Sequence, residues 1–138
     1  MIVGAFLSSA ISTDNSIAIG KKAPQIETIQ GINVVADANS EPKTKVISFW
    51  NPKKPASRIN NKELSRQFGS MEKDVEFISI CTDPDENLMR EVMKIDNISA
   101  DKTYSWAEIS PRAFKDYGAL ENPRAFVISP SGEISSVI

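Results

Sequence analysis

The 138-residue sequence contains no histidine and a single cysteine, Cys81. Histidine is the commonest general base and the commonest metal ligand, so a Ser-His or Cys-His nucleophile pair is impossible within this chain. One thiol can neither close an internal disulfide nor build a thiolate zinc site alone. We therefore expect no metal and no cofactor.

A strong charge of either sign and a membrane-length apolar run are also missing. The formal net charge is −2, which gives no indication of nucleic acid as a partner. The apolar stretch at residues 2–11 is too short to span a bilayer and about as long as the hydrophobic region of a signal peptide, although no Lys or Arg precedes it. We interpret residues 1–18 as a leader or export-signal remnant. The alternative is a short apolar segment docked on the domain.

The rest of the chain has an ordinary globular composition, with 41% hydrophobic and 25% charged residues. Residues 19–138 are enough for one domain with its own core. Apolar runs and helical periodicity alternate there, which predicts an α/β fold with a mixed sheet and helices on both faces, preceded by a small hairpin around Gly31. Strands are predicted at Val46–Trp50, Val75–Cys81, Ala125–Ser129 and Ile134–Ile138, and helices at Ser57–Met71, Asp85–Ile95 and from Ser110-Pro111 onward.

The helix predicted at Asp85–Ile95 has acidic residues in its first turn and carries Leu88, Val92 and Ile95 on one face. Cys81 is predicted to end a strand parallel to Val46–Trp50. In α/β sheets, that end of a strand faces the functional crevice.

Three segments, in this order, resemble the thioredoxin-like family. Residues 19–24 (Ile-Gly-Lys-Lys-Ala-Pro) resemble the start of the fold in peroxiredoxins of the AhpC/TSA type and in exported thioredoxin-like proteins. Phe49-Trp50 with Arg58 resembles the surroundings of the thioredoxin active site. Residues 122–134 resemble the cis-proline strand and the hairpin after it. The resemblance covers residues 19–138 and implies a thioredoxin-like fold of the exported thiol-disulfide oxidoreductase type.

The sequence departs from that family at two places. Where the family has Cys-x-x-Cys, this chain has Lys54-Pro55-Ala56-Ser57, so Lys54 takes the place of the nucleophile and Ser57 that of the resolving cysteine. Neither side chain can exchange with a disulfide, so dithiol catalysis is excluded. The second departure is that the family's last helix is absent after the final hairpin. We expect residues 1–11 to cover the sheet there instead.

Two features of the former active site could still bind a partner. Lys53, Lys54 and Arg58 cluster at the start of the predicted helix, and Trp50 just before them is interpreted as core or as a wall of the binding cleft. Positive side chains around a helix N-terminus favour an anion. The alternative is a solvated basic patch in which Ser57 caps the helix.

The second feature is Pro123, which the resemblance implies to be cis. In the family, the backbone beside this proline pairs with an extended substrate peptide. A groove flanked by Asn122 and Arg124 would not depend on cysteine. The alternative is a proline kept only for the geometry of its turn.

Three functional hypotheses follow. The first is a non-catalytic domain, exported to a bacterial periplasm or cell envelope, that binds an extended peptide or an anionic group of a partner protein. In that case, any membrane tether would come from an upstream signal segment. The second is a thiol-disulfide oxidoreductase-type enzyme that uses Cys81 with an external thiol. The alternative to this hypothesis is that Cys81 is a small buried apolar residue. Nearby Asp83 would raise, not lower, the pKa of its thiol. The third is a structural or interaction domain.

Overall fold

The computed structural model describes residues 17–36, 41–69 and 74–138. Its centre is a five-stranded sheet in the order β3-β2-β1-β4-β5. The first three strands are parallel, β4 is antiparallel to β1, and β5 is antiparallel to β4. This arrangement confirms the predicted mixed α/β sheet. The strands are β1 (Thr44–Trp50), β2 (Val75–Cys81), β3 (Thr103–Tyr104), β4 (Ala125–Ile128) and β5 (Ile134–Val137).

In the part of the chain that the structure describes, three α-helices lie between the strands: α1 (Pro55–Phe68), α2 (Glu86–Asp96) and α3 (Pro111–Asp116). Both α1 and α3 begin with proline, whose fixed φ suits the first helical position and whose missing N–H is not needed there. Helix α2 is capped by Asp85, whose carboxylate accepts from the Leu88 N–H at 3.1 Å. In the described part of the chain, no helix has both the length and the apolar character to cross a bilayer.

The sheet is covered on both faces. Helices α1 and α2 pack on one face, where Leu64 contacts Val46 and Phe77. Helix α3 and the N-terminal segment cover the other, which holds an aromatic cluster. In that cluster, the ring of Tyr117 lies 5.2 Å from Phe49 and 5.0 Å from Phe126, centroid to centroid. This two-sided burial explains why β1 and β2 lack a clean polar alternation.

The buried face of α2 is not centred on the three apolar residues that the sequence places on one face. The helix buries Met89, Val92, Met93 and Asp96, whereas Ile95 is 71% exposed. The difference arises because Asp96 forms an ion pair with Arg58 of α1 and can therefore occupy a buried position. A pattern of apolar residues alone places the neighbouring Ile95, rather than Asp96, on the buried face of the helix.

The N-terminal segment forms the predicted hairpin around Gly31, although as a single antiparallel bridge between Glu27 and Asn33 rather than two full strands. The Gly31 φ of +88° is a conformation that glycine adopts without strain. Further along the sheet edge, Gly20 donates its N–H to the carbonyl of Ile134 at 2.7 Å. The predicted leader and the predicted cover by residues 1–11 lie outside the described residues, apart from residues 17 and 18. The boundary at residue 19 stays a prediction.

Candidate functional site

The chain turns sharply between the end of β1 and the start of α1. The Asn51 side chain accepts from the Lys53 N–H at 2.8 Å, and the Lys54 N–H bonds to the Asn51 carbonyl at 2.9 Å. The buried Ser57 hydroxyl accepts from the Asn51 N–H at 3.0 Å and lies 2.9 Å from the Lys54 carbonyl. Ser57 therefore stabilises this turn from inside, and the N-cap of α1 is Lys54 rather than Ser57. We call residues 51–58 the corner.

Lys54 reaches from the corner to a distant loop. Its ammonium group donates to the carbonyl oxygens of Leu120 and Glu121, both at 3.1 Å. That loop leads into Pro123, so the two parts of the predicted site do lie together. The lysine charge is directed at these carbonyl oxygens of the same chain.

The other two cations of the corner also have partners. Lys53 pairs with Asp83 at 3.3 Å, and Arg58 forms a two-bond pair with Asp96 at 2.9 and 3.0 Å. The hydrogen bonds from Arg58 hold the pKa of the Asp96 carboxyl below its usual value, and the same pair raises the pKa of Arg58. The corner consequently offers less free positive charge than its sequence suggests.

The expected cis-proline is not present. Among the described residues no peptide bond is cis, so the Asn122–Pro123 bond is trans. The trans form is intrinsically favoured by about 0.5–1 kcal/mol for a bond preceding proline. The turn before it is closed by the Asn122 N–H, which donates to the Gly118 carbonyl at 3.1 Å.

Arg124 follows Pro123 but does not join the basic cluster through any contact described. Its guanidinium lies over the Phe126 ring, 5.5 Å from the centroid. Its carbonyl accepts from the Phe49 N–H at 3.1 Å, which ties the start of β4 to β1. Within the part of the chain that the structure describes, the buried Nε of Arg124 has no hydrogen-bond partner.

Trp50 was predicted to take part in binding, and the structure places it in the core. Its side chain is fully buried against Cys81 and Val92. Its carbonyl accepts from the Thr82 N–H at 2.8 Å. A partner cannot reach the indole in this conformation, so Trp50 is removed from the candidate site.

Cys81 ends β2 beside Trp50, in the predicted parallel register. The thiol is fully buried, and that burial raises its pKa to about 11. Roughly one molecule in ten thousand would then carry a thiolate at pH 7. Across residues 17–36, 41–69 and 74–138, no group of three or more His, Cys, Asp or Glu side chains could hold a metal ion.

A small cavity of about 250 Å³ lies next to the corner, on the side of α2. It is lined by Pro52, Pro55, Arg58, Ile59, Lys62 and Asp96. Ile59 is 61% exposed, and Leu120, whose carbonyl Lys54 binds, is 50% exposed. Exposed apolar side chains thus flank the corner on both sides.

Sequence analysis did not identify Asn51, Asp96 and Leu120 as parts of this site. Asn51 had a usable signal, because asparagine before proline is typical of a side-chain-stabilised turn. Asp96 and Leu120 are brought in by tertiary contacts with residues far away in the chain, which local patterns do not reveal.

No protein family matches the sequence, and no curated protein matches it significantly. Solved structures do match. A thioredoxin-like protein from Parabacteroides distasonis is 22% identical, with a TM-score of 0.73 and 88% of each chain covered. The thioredoxin domain of a thiol-disulfide oxidoreductase from Bacteroides vulgatus is 18% identical, with a TM-score of 0.66 and coverage of 88% of this chain and 89% of that one. A secreted disulfide oxidoreductase from Mycobacterium tuberculosis is 21% identical, with a TM-score of 0.60 and coverage of 83% and 81%. The chain therefore has a thioredoxin-like fold.

Proposed function

We propose that this protein is a redox-inactive thioredoxin-fold domain that binds an extended peptide segment of a partner protein at the corner. The observation that carries the proposal is the exposure of Ile59 and Leu120 on either side of Lys54, next to Pro52 and Pro55. Single exposed apolar side chains are common on any protein surface, but several that lie together, as Ile59, Pro52 and Pro55 do, mark a contact site when polar residues surround them.

The arrangement favours a peptide over a small anion. An anion site needs cations whose charge is not already compensated. Here Lys53 and Arg58 pair with carboxylates, and Lys54 binds two carbonyl oxygens. A free phosphate or carboxylate would have to compete with these contacts, whereas an apolar side chain would not.

The enzyme hypothesis receives no support from the environment of Cys81. Thiol exchange requires an accessible thiolate. Burial makes the thiol inaccessible and keeps it protonated. We accordingly assign Cys81 to the core between β2 and α2.

We also propose that the protein is exported. The apolar stretch at residues 2–11 has the length of a signal-peptide core. The Mycobacterium tuberculosis neighbour is described as secreted. The test is expression of the full chain in a Gram-negative host, followed by separation of periplasm and cytoplasm; recovery only from the cytoplasm would contradict export.

Peptide binding is tested by selection from a random peptide library on immobilised wild-type protein. We expect the selected peptides to bind Ile59→Glu and Leu120→Glu at least about tenfold more weakly. Ile32→Glu is the matched control, because Ile32 is equally apolar and exposed but lies in the N-terminal hairpin. Failure to select any peptide, or equal binding to corner and control variants, would overturn the proposal.

A disulfide-reductase assay with a dithiol reductant, on wild type and on Cys81→Ser, tests the redox-inactive part. We expect no activity above background in either protein. Activity that disappears in Cys81→Ser would instead establish the enzyme hypothesis.

A further inference from the structure

We propose that the cavity beside α1 is the anchor subsite of this binding site, and that it takes one aliphatic or aromatic side chain of a peptide with acidic flanking residues. The inference rests on the proposed function and adds to it the chemical class of the ligand and the place where it binds.

The cavity has the size of a side-chain pocket. Ligand pockets for cofactors and drug-sized molecules usually measure about 300–1,000 Å³. The cavity here, at about 250 Å³, falls below that range. Pro52, Pro55 and Ile59 supply its apolar surface. Such a pocket suits a single buried anchor residue, the element that usually dominates the affinity of a protein interface.

The walls of the cavity are already held in place. The corner that carries both prolines is fixed by the hydrogen bonds of Ser57 to Asn51 and Lys54. The two-bond pair of Arg58 with Asp96 links α1 to α2 across the cavity. A site that does not have to be ordered on binding loses less conformational entropy, and this smaller cost improves the affinity even for a short peptide.

The charges around the cavity favour acidic flanks. Arg58 and Asp96 compensate each other. Lys62 lines the same cavity, is exposed, and makes no hydrogen bond or ion pair within the described ranges. With the two cations Arg58 and Lys62 against the one carboxylate of Asp96, the lining carries a net charge of +1. The Lys62 charge acts on Asp96 without an ion-pair contact.

Lys54 lies on the opposite side of the corner from the cavity. In the sheet order, the loop before Pro123 leads to β4 on one side of β1, whereas α2 follows β2 on the other. Lys54 spans the first side by bonding to Leu120 and Glu121. The cavity lies on the second side, where Asp96 of α2 contributes to its lining.

The test uses the full chain labelled with ¹⁵N and three capped pentapeptides, Glu-Glu-Leu-Glu-Glu, Glu-Glu-Gly-Glu-Glu and Lys-Lys-Leu-Lys-Lys, titrated in separate NMR experiments. We expect the first peptide to shift the amide signals of Ile59, Lys62 and Asp96. The peptide without leucine and the peptide with reversed charge should each bind at least about tenfold more weakly. Lys62→Glu should weaken binding of the acidic peptide, whereas the matched control Lys115→Glu, an exposed lysine of α3 on the other face of the sheet, should not.

Each result separates the two proposals. Amide shifts confined to residues 118–122 would show that the cavity is not the anchor subsite, while leaving the proposed peptide binding intact. Equal binding of the leucine and glycine peptides would show that binding depends on charge alone and that no side chain is anchored in the cavity. If neither these peptides nor any library peptide binds, the proposed function falls as well.

Discussion

The ammonium group of Lys54 lies 3.1 Å from the carbonyl oxygen of Leu120, a residue 66 positions later in the chain. By resemblance, the nucleophilic cysteine of thioredoxin-like oxidoreductases would stand at position 54. In this chain, the same position holds a long cation that joins the start of α1 to the loop before Pro123. The side chain thus has a stabilising contact where the family has a reactive group.

Replacing Lys54 by methionine removes this contact while keeping a side chain of similar length. We expect the loop at residues 118–122 to open more often, so that the Asn122 amide exchanges its hydrogen about threefold to tenfold faster. Hydrogen exchange followed by NMR measures this directly. Lys53→Met is the matched control and should leave that amide unchanged; unchanged exchange in Lys54→Met would show that the loop does not depend on the lysine.

The Arg58–Asp96 pair should make stability depend on pH. The pair lowers the pKa of Asp96 in the folded protein, so its contribution is present above the ordinary aspartate pKa of about 3.9 and is lost as the pH falls through the lower folded value. At pH 7, Asp96→Asn should lower the free energy of unfolding by about 1–2 kcal/mol, a range reduced because Arg58 is partly solvated.

Urea unfolding at a series of pH values from neutral to about 2 checks this expectation. Wild type should lose more stability than Asp96→Asn over the acidic part of the range. Glu63→Gln, which removes an exposed pair with Arg66, serves as control and should change little. Parallel pH profiles for wild type and Asp96→Asn would contradict the role given to the pair.

Cys81 should react with thiol reagents only after the protein opens. Burial prevents contact with the reagent and raises the pKa to about 11, so the native thiol stays protonated at neutral pH. With excess DTNB, we expect a slow rate that does not depend on reagent concentration, and rapid reaction in urea. Fast, concentration-dependent reaction of the native protein would place Cys81 at an accessible site.

The same shift predicts a loss of stability at high pH. Burial raises the pKa of Cys81 in the folded protein. The contribution of the protonated thiol to the free energy of unfolding is therefore fully present below the ordinary thiol pKa of about 8.5, and it is lost as the pH rises toward 11. Wild type should therefore lose more stability than Cys81→Ala over this alkaline range. Tyr117, whose pKa burial also raises, remains in both proteins and cancels in the comparison.

Restoring the missing thiols should restore chemistry if the corner has kept its geometry. The variant Lys54→Cys/Ser57→Cys, made with Cys81→Ser, places one cysteine at the N-cap of α1 and one in its first turn. Backbone N–H groups there lower a thiol pKa. We expect measurable disulfide-reductase activity, with Lys54→Cys alone as the inactive control, and some loss of stability because the Ser57 hydroxyl holds the turn. No activity in the paired variant would contradict the idea that the corner has kept a geometry suited to thiol chemistry.

The fold was predictable because its signals are local. Apolar runs located β1 and β2, proline at the first helical position located the start of α3, and the motif order implied the sheet, whereas α1 begins at Pro55, two residues before the predicted start. These signals depend on residues a few positions apart, so the sequence displays them directly.

The site was less predictable because its contacts are long-range. Local charge density predicted an open basic cluster, but Lys53 and Arg58 each find a carboxylate that follows β2 or ends α2. Because Asp96 pairs with Arg58, it is buried, whereas the neighbouring Ile95 is exposed. For Trp50 the sequence left core and cleft wall open, and its partner in the sheet, Cys81, belongs to the same buried cluster.

The strand order described above also affects how the chain is assembled during synthesis. β1 pairs on one side with β2, which follows after a single helix, and on the other with β4, where Ser48 meets Ala125. Before β4 is available, β1 to β3 can pair, but β1 keeps one long apolar edge without a neighbour. Such an edge is prone to pair with other chains. The newly made protein is therefore most exposed to aggregation in the interval before β4 is released, and a chaperone that masks this edge would act at that stage.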